Sequence, residues 1–267
     1  MIQAQIARIR RALWTFRQPF TRKPEQLGVP VSDLFVWRND AEWKTCFELI
    51  DIPGLFTPGE AMPDRHVTLV FLDKDGALFH ETRVEAICCQ RQTLELSSFI
   101  PESQGAYGMF CVFHSVTPDV VASLGSHIAE RGYVSYRYMK NPLRAYVHGN
   151  LDAVAMMPGH TLQQLGGSSV LEREYRLQHE LRGPACYEVG IVNPSSRKQR
   201  VSCRFISART GELLDEQHAY LRPRGCHVFP VHADPLQHGR IVIASHMIMG
   251  RPLLFRTQGQ GMDVFHG

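Results

Sequence analysis

The chain has 267 residues, 44% of them hydrophobic and 21% charged, a composition that belongs to a folded protein and excludes a disordered or low-complexity one. The net charge of +3 is unevenly spread: residues 1–23 carry Arg8, Arg10, Arg11, Arg17, Arg22 and Lys23 and no acid, leaving the rest slightly acidic. By charge, then, the body is not a polyanion-binding surface, and no nucleic-acid partner is expected.

In chain order, the first predicted element is a basic amphipathic helix over residues 1–23. Ile2, Ile6, Ile9, Leu13, Phe16 and Phe20 step by fours and threes along one stripe, while arginines occupy mainly the other faces. Arg8, Arg10, Arg11, Trp14 and Arg17 are its expected contacts with a protein partner or an anionic membrane surface. Pro24 and Pro30 mark the exit from this arm.

The body reads as β-structure, in strands punctuated by turns. HVTLVFLDKDGALFHETRV is two runs of β-formers around Asp75-Gly76, and VSCRFISARTGELLDEQHAY repeats the pattern around Thr210-Gly211. GMFCVFHSV and RIVIASHMI are continuous apolar runs, as in strands buried on both faces. Ordered anchors link the two halves: Cys46 with Cys186, Gly76 with Gly211, His114 with His246, and His148 with His266. The order predicts an internal duplication, with copies at 33–149 and 173–267 and a connector at 150–172 carrying a short helical turn. The expected fold is all-β: two tandem antiparallel β-sandwiches, Ig-like or jelly-roll-like, preceded by the amphipathic helix.

Seven cysteines, an odd number with no C-x-x-C spacing and no secretory signal, point to a reducing, cytoplasmic setting in which cysteine acts as a small core residue. No segment approaches the ~18 uninterrupted apolar residues of a membrane span.

Motifs for chemistry are scarce. The chain has no G-x-x-x-x-G-K-[ST], H-E-x-x-H or G-x-S-x-G. Gly259-Gln260-Gly261 reads as a glycine-rich hairpin, and adjacent Cys226-His227 would point to opposite faces of a strand. The matched histidines His114, His148, His246 and His266 are the leading ligand-binding candidates, because imidazole serves as metal ligand and neutral-pH acid or base. They are also the metal candidates, with the matched carboxylates Glu48 and Glu188 as further ligands or orienting groups. Arg137 and Arg256, in the last strands of each copy, offer charged donors to a ligand. Tyr133, Tyr136, Tyr138 and Tyr146 cluster near Arg137, a composition suited to sugar stacking or protein contact.

The stretches IVNPSSRKQRVSCRF and ASHMIMGRPLLFRTQ resemble the sensory rhodopsin transducer family, whose members form a compact β-sandwich. The resemblance covers part of the second copy and implies a cytoplasmic, oligomeric interaction or small-ligand module. It carries over no site residue.

The expected function is a non-catalytic binding or adaptor protein, held at a membrane surface or in an assembly by its basic helix. Its expected partners are a protein or a second copy of itself, an anionic membrane surface, and a small ligand or glycan. No cofactor is expected. The alternatives are a metal-dependent hydrolase or lyase using a divalent ion on the duplicated histidines, and a glycan-binding module.

Overall fold

The computed structural model describes residues 28–52, 54, 65–87, 90–115, 129–130, 132–149, 153–231, 238–248 and 251–266. The predicted helix at 1–23, with Arg8, Arg10, Arg11, Trp14 and Arg17, lies outside the described residues. The strands run β1 (Val31–Ser32), β2 (Phe35–Arg38), β3 (Trp43–Ile50), β4 (His66–Asp73), β5 (Leu78–Glu85), β6 (Arg91–Glu95), β7 (Tyr107–His114), β8 (Ala129–Glu130), β9 (Tyr133–Tyr138) and β10 (Arg144–His148). There follow β11 (Val154–Met157), β12 (Thr161–Gln164), β13 (Ser168–Arg182), β14 (Cys186–Val192), β15 (Gln199–Ser207), β16 (Leu213–Leu221), β17 (Cys226–Val231), β18 (His238–Met247), β19 (Leu253–Gln258) and β20 (Gly261–His266).

They assemble into five four-stranded sheets: sheet I (β12-β11-β1-β8), sheet II (β2-β7-β4-β5), sheet III (β10-β9-β3-β6), sheet IV (β13-β18-β15-β16) and sheet V (β17-β14-β19-β20). Sequence pattern places strands within them. The apolar runs of β4 and β7 are central in sheet II and buried along nearly their whole length, whereas β5 and β16 alternate exposed and half-buried residues at sheet edges. Sheets II and IV thread their strands in the same relative order, as do III and V.

The all-β class holds. The architecture does not match two tandem β-sandwiches: five four-stranded sheets are the blade count of a five-bladed β-propeller. Two observations overturn independent tandem units. First, residues 150–172 supply no helical connector among those described; β11 and β12 form a hairpin that pairs with β1 to build sheet I. Pro158-Gly159 turns the chain there, with Gly159 at φ +77, and strand pairing of β11 with β1 outweighs the helical pattern. Second, sheet V is buried on both faces. Tyr187, Val189 and Ile191 pack with sheet IV, whereas Phe255 and Val264 join the core of sheets II and III. Phe255 meets Trp43 at 5.3 Å and Tyr136 at 5.0 Å between ring centroids. A third apolar cluster joins Val192 and Cys226 to Val70, Met109 and Cys111. These shared cores, continuous across the sequence halves, remove the basis for separate tandem domains.

The expectation for cysteine holds at four described positions: Cys46, Cys111, Cys203 and Cys226 are free and buried, while Cys186 is free and exposed.

Candidate functional site

Where sheets II, III and V meet, the chain leaves a narrow cleft, partly open to solvent, with an inner volume of about 30 Å³. Phe35, Val36, Val134, Tyr136, Val147, Val192 and Leu253 make it largely apolar, and Asp33, His148, Arg251 and His266 bring polar chemistry to it. The apolar wall arises from strand alternation: Val134 and Tyr136, two residues apart on β9, face inward together. Tyr136 is buried but satisfied, its hydroxyl donating to the Val36 carbonyl at 2.8 Å. Burial pushes that phenol well above its usual pKa, so it stays neutral.

The two His-Gly sequences meet here. His148 ends β10 and His266 ends β20, with ring centroids 5.5 Å apart. His266 Nε2–H donates to the His148 carbonyl, and His148 Nδ1–H donates to the Gly149 carbonyl at 3.1 Å. Burial pulls the His266 pKa below the usual imidazole value; the His148 carbonyl opposes that shift and the Arg251 charge adds to it. Its Nδ1 is buried without a hydrogen bond of sound geometry, although the Pro252 backbone lies close enough to favour the protonated ring. Gly149 is dictated by packing: a Cβ there would lie 2.3 Å from Asp33 Oδ2. Asp33 is itself buried, and its Oδ1 accepts from the Leu34 amide at 2.7 Å.

The other sequence candidates do not converge. His114 pairs with Glu130 at 2.6 Å, both side chains 2% exposed, inside the fold. His246 Nδ1–H donates to the Ser169 carbonyl at 3.2 Å. Glu188 pairs with Arg38 and orients no imidazole. Glu48 is buried under sheet III's outer face, accepting from Thr93 Oγ1 at 2.9 Å. Arg256 contacts Gln258 and Asp263 on the β19–β20 hairpin, and Arg137 lies on the outer face of sheet III. Of the tyrosines, Tyr136 and Tyr138 are buried in the core, while Tyr133 and Tyr146 are exposed. Adjacent Cys226 and His227 diverge: Cys226 is buried, and His227 Nδ1 meets the Tyr107 hydroxyl at 3.4 Å. Among the described residues no three His, Cys, Asp or Glu side chains gather as a metal set.

Asp33 and Arg251, two polar residues of the cleft, carry no motif. Sequence signals only their partners, through the repeated His-Gly. No protein-family model matches the chain, and no curated protein matches it either.

Proposed function

We propose that this is a non-catalytic binding protein whose cleft takes a small molecule with an apolar body and an anionic end. The carrying observation is the lining of the cleft: an apolar concavity with a few convergent polar groups has the chemistry usual for a small-molecule site. Arg251 lines the cleft and supplies the charge, a guanidinium suited to a carboxylate or other anion. The two imidazoles are each tied to a backbone carbonyl and do not form a nucleophile–base pair.

The test uses the dye 8-anilinonaphthalene-1-sulfonate, an apolar body with an anionic end. Its fluorescence should rise saturably with the full-length protein. The gain should fall roughly tenfold in Leu253→Trp, which fills the cleft, and in Arg251→Ala, a loss of about 1.4 kcal/mol. Equal binding by both variants, each shown to be folded, would refute the reading.

No helix among the described residues is long and apolar enough to cross a membrane. A cytoplasmic setting, with the arm of Arg8, Arg10, Arg11, Trp14 and Arg17 attaching the module to an anionic lipid surface, extends the same proposal. Removing residues 1–23 should abolish co-sedimentation with phosphatidylserine vesicles; retained co-sedimentation would refute the attachment.

A further inference from the structure

The outer face of sheet III carries a second polar constellation, which adjoins the cleft only where the Tyr133 ring packs edge-on against His148, 6.4 Å between ring centroids. Inward-facing Phe47, Val134, Tyr136 and Val147 fill the core, so strand alternation turns Cys46, Glu48, Tyr133, Ser135, Arg137, Arg144 and Tyr146 outward. Pairing fixes their grid. Glu48 lies between Thr93 and Tyr133; Cys46 lies between Glu95 and Ser135, with Tyr146 beyond; Arg137 lies between Lys44 and Arg144.

Two outward-facing polar groups on this face are buried and unfulfilled. Ser135 is 0% exposed and its Oγ has no hydrogen-bond partner. The Glu48 side chain is 2% exposed, and its Oε1 likewise accepts no hydrogen bond. An unmade hydrogen bond on a buried polar atom costs on the order of 1–3 kcal/mol, so such atoms call for an explanation. Arg144 explains the burial. Its Nη1 stands 3.6 Å from Glu48 Oε1, and its Nη2 stands 3.8 Å from Glu95 Oε1. The guanidinium therefore reaches from β10 across β9 toward β3 and β6, over Ser135 and Cys46. Both separations are too long for hydrogen bonds. Arg144 covers these groups without satisfying them.

Around this strap stand two half-exposed rings, Tyr133 at 52% and Tyr146 at 49%. Cations outnumber acids: Lys44, Arg91, Arg137 and Arg144 face Glu48 and Glu95. Among the described residues Arg137 has no carboxylate partner.

We infer that this face binds a carboxylated sugar. Tyrosine rings stack against the apolar C–H face of a pyranose. A guanidinium matches a carboxylate in two-pronged geometry, which assigns the sugar's carboxylate to Arg137. Hydroxyl groups donate to Glu48 Oε1 and either donate to or accept from Ser135 Oγ as Arg144 swings aside. The ligand supplies the hydrogen bonds the free protein leaves unmade.

Saturation-transfer NMR with the full-length protein tests this, using glucuronate as the probe and glucose as its uncharged counterpart. Glucuronate should bind saturably in the millimolar range, and glucose at least about fivefold more weakly. Tyr146→Ala and Arg137→Ala, both at surface positions, should each weaken glucuronate roughly tenfold. The cleft-filling Leu253→Trp variant should bind glucuronate as the unaltered protein does, separating this face from the cleft. Absence of saturable glucuronate binding, equal binding of glucose, or full binding by both surface variants would each overturn the assignment. So would loss of glucuronate binding in Leu253→Trp.

Discussion

Arg38 of β2 grips Glu188 of β14 with both prongs of its guanidinium, Nη1 to Oε2 at 3.1 Å and Nη2 to Oε1 at 3.3 Å. The two residues are 150 positions apart, and the pair ties sheet II to sheet V. Burial opposes the Arg38 charge, but Glu188 and Asp40 more than offset it and hold the guanidinium above its ordinary pKa. Its plane also lies 5.1 Å over the Phe255 ring. Arg38→Ala should therefore cost about 2–3 kcal/mol in urea unfolding, below the range for a fully buried pair because the Glu188 side chain remains 29% exposed. A loss within about 0.5 kcal/mol would show that the pair is neutral to stability.

Phe255 occupies the seam between sheet V and the core of sheets II and III. Phe255→Ala should remove about 3–5 kcal/mol. Because the cores are shared, thermal unfolding of the unaltered chain should be a single transition, coincident by tryptophan fluorescence and circular dichroism. All three tryptophans, Trp14, Trp37 and Trp43, lie in the first half of the chain, so separately folding halves would show two midpoints.

Stability should depend on pH through His266 and His227. Burial lowers both below the usual imidazole pKa, with Arg251 acting on His266 and Lys74 on His227. The unfolded rings take up protons near pH ~6.5 while the folded ones resist. Their contribution is thus fully present above that pH and is lost as pH falls through the lower folded values. His266→Gln should flatten the decline in unfolding free energy between about pH 7 and pH 5. An unchanged slope would assign the decline to other groups.

Gly76 and Gly211 turn their hairpins with φ of +82 and +75. Their surroundings differ. A Cβ on Gly211 meets nothing within 4 Å, whereas one on Gly76 would lie 2.3 Å from the Pro223 carbonyl oxygen. Gly211→Ala should cost about 1 kcal/mol, the backbone strain alone. Gly76→Ala should cost clearly more, because the β4–β5 turn is pressed against the β16–β17 turn. Equal midpoints in thermal unfolding would contradict that packing.

Much of the strand content was legible because alternation and turn chemistry are local. Asp75-Gly76 and Thr210-Gly211 do mark hairpins, and the apolar runs at 107–114 and 238–247 do form central strands. The connector misled because AVAMM reads as helix or strand alike, and β1, the strand whose pairing decides it, lies over a hundred residues away. In the cleft, His148 and His266 could be singled out by their repeated context. Asp33 and Arg251 could not, since neither has a spacing that signals its neighbours. The tyrosine cluster was visible, but only the pleat sorts Tyr133 and Tyr146 outward and Tyr136 and Tyr138 inward.

The sequence by itself determined the all-β class and the hairpins, because side-chain periodicity and turn geometry act over a few residues. Tertiary structure alone decided the fifth sheet, the two-faced burial of sheet V, and the meeting of Arg38 with Glu188. Those depend on which surfaces exclude water together, and that choice joins residues far apart in the chain.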